Sequence, residues 1–209
     1  FAFVEENFPA IKIPSVYMHV SGLNQNVLVG EQVLSVSIDK YMGKDYPLYE
    51  AFFHDYERRL MTEKLIAPDC LAGLLLSEYP FDGNENILLD RMIHEGKVKY
   101  LLQKAFPQIT INELLGYNEA DMEWCEKNEK MLWRTIVGNK HLYTPDQMTT
   151  MRYFQPVPST FLSDGAPGNI GIWLGWQIVT RYMNETNAAA NVLMTTKAQD
   201  VLNQSKYKP

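Results

Sequence analysis

The stretch RMIHEGKVKYLLQ, residues 91–103, holds the residues best suited to chemistry. His94-Glu95 opens the metallopeptidase helix pattern H-E-x-x-H, in which two histidines one turn apart grip zinc and the glutamate serves as general base for the metal-bound water. The fifth position is Val98. The remaining histidines are His19, His54 and His141, and no two of the four are three or four residues apart. The usual form of the site therefore cannot be built. A site made from one histidine and carboxylates or cysteines at distant positions stays open. Gly96 is a second signal, because glycine inside a helix costs about 1 kcal/mol relative to alanine. It is expected where something packs closely against the backbone.

Other chemistries find little support. There is no G-x-S-x-G elbow, and neither Cys70 nor Cys125 has a histidine near it in sequence. Both cysteines fall in helical patterns and are expected to be free and buried. Gly168, Gly171 and Gly175 run through a helical segment rather than preceding one, so they suit close helix packing and not a phosphate loop. Ile172, Trp176, Val179 and Met183 recur at helical spacing and read as a core stripe. Glu126, Lys127, Glu129 and Lys130 read as a solvated helix face. A net charge of -6 with scattered Lys and Arg excludes the basic footprint of a nucleic-acid binder. No apolar run is long enough to span a membrane. No signal-peptide pattern stands within the chain, which begins at Phe1.

The elements that must position these residues follow from periodicity. SVYMHVSG (15–22) and NVLVGEQVLSVSID (26–39) read as strands, with Val16, Met18 and Val20 on one side and Gly30 as a break. They predict a small antiparallel sheet in an extended stretch of forty residues. Asp45 and Pro47 predict the start of one helix through Met61. Residues 65–79 are apolar nearly all round and predict a buried helix. A loop FDGNEN precedes a long helix over 85–105. Thr110 with Glu113, and Asn118 with Asp121, predict two further helix starts. Thr144-Pro145 begins a short helix, QPVPSTFLSDGAPG (155–168) is irregular, and Asp164-Gly165 reads as a loop able to cover a cleft. GNIGIWLGWQIVTRYM and NAAANVLMTTKAQDVLNQ each predict one helix. The expected fold class is α+β and predominantly helical, with about eight helices. It forms a single domain, 1–209, with a strand-rich part over 1–40 and a helical part over 44–209.

EGKVKYLLQKAFP resembles the E-G helix of gluzincin-like predicted zinc proteases, and PGNIGIWLGWQIVTRYM resembles their later helix. That resemblance implies a degenerate zincin-like fold. Glu95 would occupy the place of the third zinc ligand, and the H-E-x-x-H slot would fall on APDCLAGLL (67–75), which holds Asp69 and Cys70 but no histidine. SIDKYMGKDYPLY (37–49), MIHEGKVKYLLQKAFP (92–107), GYNEADMEWCEKNEKMLW (116–133) and APGNIGIWLGWQIV (166–179) resemble the gliding-motility lipoprotein family (GldB-like) of the Bacteroidota. The likeness extends over most of the chain from about residue 37. It implies a non-catalytic lipoprotein of the cell envelope, periplasmic or at the outer membrane. The protein would act through envelope partners, such as gliding-type machinery, with no cofactor and no nucleic acid. Its only membrane attachment would be a lipidated cysteine upstream of Phe1. A remnant cleft is expected from Glu95, Asp69 and Glu78, walled by Tyr100, Trp173 and Trp176. Any metal would fall to Glu95, His94 and Asp69. The alternatives are a metallopeptidase with unorthodox ligands and a peptide- or glycan-binding module.

Overall fold

In the computed structural model, residues 1–158, 162 and 165–209 are described. Two compact units emerge. The first comprises Phe1–Pro80 and Leu102–Gly116, and the second comprises Phe81–Leu101 and Tyr117–Pro209. Eleven α-helices and three strands are present among the described residues, so the fold is predominantly helical α+β.

The first unit begins with a helix, α1 (Ala2–Asn7), where an extended chain is expected. Six residues are too few to show a helical period. The helix is held by burial of Val4 and of Phe8, whose ring lies 5.8 Å from that of Tyr79. The strands β1 (Ser15–His19), β2 (Val27–Gly30) and β3 (Val33–Ser37) fall where alternation places them. The sheet is mixed, however, and not antiparallel. Its order is β1-β3-β2, with β1 parallel to β3 and β2 antiparallel to it. Two reversals of direction make β1 and β3 run the same way, and they become neighbours because β3 inserts between its predecessors. Alternation specifies which face is buried but carries no information on strand order.

Leu34 and Val36 of β3 are buried, as are Leu71, Leu74 and Leu75 of α4 (Ile66–Glu78). A side chain on Gly73 of α4 would lie 3.1 Å from Val27. The single helix expected from Pro47 is two, α2 (Pro47–Phe52) and α3 (Asp55–Arg58). Its N-cap position falls on Tyr46 and not on Asp45, and no side chain caps it. The break is stabilised by Glu57, whose carboxylate accepts the His54 N–H at 2.9 Å and so restarts the helix.

Helix α5 (Leu88–Ala105) starts in the second unit and ends in the first. The capping boxes of α6 (Ile111–Leu115) and α7 (Glu119–Gly138) form as their sequences predict. Helix α8 (Gln147–Arg152) begins three residues after Thr144, capped by Asp146. Helix α9 (Ile170–Thr186) supplies the centre of the second unit, with Trp173, Leu174, Ile178 and Val179 fully buried. The expected stripe is therefore displaced. Val179 is in the core, whereas Ile172, Trp176 and Met183 are only partly covered. A helix apolar on nearly every side offers several stripes of equal quality. The expected last helix is two, α10 (Ala190–Thr195) and α11 (Ala198–Ser205). Asp164 lies outside the described residues.

Candidate functional site

The site is built in the second unit, where α5 crosses α9. A Cβ on Gly96 would stand 2.3 Å from the carbonyl carbon of Gly175 and 2.6 Å from the amide nitrogen of Trp176. A Cβ on Gly175 would stand 1.8 Å from the carbonyl oxygen of Met92. Neither helix tolerates a side chain there, which is the close approach that Gly96 and Gly175 announce in the sequence.

This crossing fixes the outward turns of α5. His94 is half-buried, and its ring meets the edge of Phe81 at a centroid distance of 5.2 Å. Burial lowers the His94 pKa, Glu95 opposes that shift, and the imidazole is neutral at physiological pH. Glu95 lines a pocket of about 300 Å³ together with Phe81, Glu85, Arg91 and His94. The adjoining pocket, about 290 Å³, shares Phe81 and His94 and adds Asp82, Asp90, Lys97 and Lys197.

The other expected cleft residues are distributed as follows. Tyr100 is buried in α5, and Trp173 is wholly buried in α9, its indole N–H without a partner among the described residues. Trp176 is partly exposed on α9. Asp69 and Glu78 belong to the first unit. Asp69 accepts hydrogen bonds from the Tyr41 hydroxyl at 2.7 Å and from the Asn26 amide at 3.2 Å, which ties α4 to the chain beside the sheet. Glu78 ends α4 and is exposed. Among the described residues, no three His, Cys, Asp or Glu side chains gather as metal ligands would.

Both cysteines are free. Cys125 is buried and its thiol is pushed far up by desolvation. Cys70 is only partly covered and faces an apolar groove of about 430 Å³ between α1 and α4. Burial and the neighbouring Asp69 push it up to about 11, so it is a protonated thiol and a poor nucleophile. No helix is long and apolar enough to cross a membrane among the described residues.

Sequence reasoning missed Lys97. It is only 6% exposed and donates to the carbonyl oxygens of Met194 at 3.1 Å and Thr196 at 2.6 Å. The signal was present, since Leu89, Ile93, Lys97 and Leu101 follow at intervals of four and all four are buried.

No curated protein and no solved structure matches the chain. The profile of one family, described as gliding motility protein GldB, matches residues 1–209. A match of that extent takes in the mixed sheet, the α5–α9 crossing and the C-terminal helices alike, and the chain belongs to the gliding motility protein GldB family.

Proposed function

We propose that the protein is a lipid-anchored component of the cell envelope that acts by binding envelope proteins of a gliding-type machinery, without catalysing a reaction. The observation that carries this reading is the family match over residues 1–209. The histidine spacing supports the non-catalytic part, because no two imidazoles can share a helix face and form the paired ligands of a zinc helix. In this reading the α5–α9 crossing is the retained frame of a zincin-like cleft. Glu95 would stand where a ligand once did, and among the described residues no three His, Cys, Asp or Glu side chains gather as metal ligands would.

The test replaces the chromosomal gene in its own host by the Glu95→Gln variant, which removes the carboxylate that a metal or a general base would require. The variant is expected to remain in the envelope membrane fraction and to match the wild type in every phenotype that gene deletion produces. A phenotype equal to deletion, with normal protein levels, contradicts the reading.

A further inference from the structure

Lys97 is a buried cation without a counter-ion. Its two acceptors, the carbonyl oxygens of Met194 and Thr196, are neutral, and no carboxylate lies within ion-pairing distance of it among the described residues. Buried charges are normally paired, because an isolated one forfeits its hydration. Lys97 instead lines the pocket of about 290 Å³.

The lining is mixed in sign. The α10–α11 junction adds Lys197, while the loop after Pro80 and the first turn of α5 add Asp82 and Asp90. Asp82 acts on Lys97 through space, raising its pKa against the desolvation that lowers it. Asp90 receives the Asn84 N–H at 2.9 Å. His94 makes no hydrogen bond among the described residues and adds no charge when neutral. The wall is preformed. A Cβ on Gly83 would stand 2.8 Å from Cβ of Asp90 and 2.9 Å from the Phe81 ring, so this loop is closed down on the helix.

We propose that this pocket binds a zwitterionic, amino-acid-like group, with its carboxylate toward Lys97 and Lys197 and its ammonium toward Asp82 and Asp90. A simple anion would meet the two aspartates, and a simple cation would meet the two lysines. A group carrying both charges satisfies all four and supplies Lys97 with its missing anion. The volume falls just below the range of about 300–1,000 Å³ for ligand pockets, which suits one or two residues rather than a long chain. The ligand is either a free amino acid or a free dipeptide, since only so short a molecule brings both termini into one pocket of this size. The inference concerns the purified protein alone and does not rest on the envelope reading.

The experiment titrates the purified chain at pH 7 with four probes, followed by amide chemical shifts. The probes are alanine, alanyl-alanine, N-acetyl-alanyl-alanine and alanyl-alanine amide. Saturable shifts at Asp82, His94, Lys97 and Lys197 are expected with an uncapped probe, at least about tenfold weaker with either cap, a loss worth about 1.4 kcal/mol. Tighter binding of alanine assigns a single amino acid, and tighter binding of alanyl-alanine assigns a free dipeptide. Lys97→Gln, which keeps a donor for the two carbonyl groups, is expected to bind at least about tenfold more weakly while retaining the wild-type spectrum elsewhere. Lys97→Met serves as a second variant. The proposal is overturned if no uncapped probe saturates, if capped and free probes bind alike, or if folded Lys97→Gln binds as tightly as the wild type.

Discussion

Two ionisable side chains show how the surroundings decide what a residue contributes. Lys97 is buried, and desolvation lowers its pKa from the ordinary 10.5 to about 8 although Asp82 opposes the shift. The folded state then holds its proton less tightly than the unfolded state, so stability contributed at this site rises with pH between about 8 and 10.5. The unfolding free energy of the wild type, measured relative to Lys97→Met by denaturant titration, is expected to increase across that window. A flat difference contradicts the burial assigned to Lys97. At Asp39 the surroundings favour the charged form instead. Burial pushes its pKa up, but the Ser37 hydroxyl and the N–H groups of Leu23 and Ser21 donate to it and hold it at about 2, below the ordinary 3.8. Its contribution is complete above 3.8 and is lost as pH falls through about 2. Asp39→Asn is expected to cost about 1–2 kcal/mol at neutral pH, with a smaller difference from the wild type in acid, measured by urea unfolding. At this scale the sequence was partly legible. Glu95 and His94 stood out by type, whereas Lys97 looked like any surface lysine until its place in the apolar stripe was considered.

Helices and strands set what those residues can reach. The crossing of α5 and α9 depends on two glycines, and alanine at either would drive its Cβ into backbone that cannot turn aside. Gly96→Ala gains helix propensity of about 1 kcal/mol yet is expected to destabilise by several times that, because both helices must separate. Gly138 at the end of α7 supplies the control, as a Cβ there meets nothing within 4 Å. Gly138→Ala is expected to be neutral or stabilising by up to about 1 kcal/mol. Thermal unfolding followed by circular dichroism separates the two. Equal effects of the two substitutions contradict the crossing as described. Long helices with caps were legible because periodicity and capping chemistry are local: α5, α6 and α7 lie where Thr110, Asn118 and the apolar repeats put them. The sheet order, α1 and the breaks at Phe53 and Thr196 were not. These depend on tertiary packing, on reversals of the chain and on carbonyl groups satisfied by a distant lysine.

Across the full chain, each of the two units carries surface pockets of its own. The first presents an apolar groove and a charged pocket of about 730 Å³ lined by Lys44, Asp45, Arg59, Glu63, Lys64 and Glu113, and the second presents the small charged pockets around His94. Family membership extends over both, and it is the basis for proposing that the protein is an envelope component. The non-catalytic part depends on how few imidazoles the chain has and how they are spaced, which is legible in the sequence because it needs only counting along the chain. The fate of Asp69 was not legible, because its hydrogen bonds to Tyr41 and Asn26 join positions far apart in the chain. Zinc content provides the most direct test. Protein purified without a histidine tag is analysed by native mass spectrometry, alongside an assay of peptide hydrolysis with and without chelator. Sub-stoichiometric zinc and no chelator-sensitive hydrolysis are expected. One zinc per chain, removed by chelator together with peptidase activity, would overturn the non-catalytic reading.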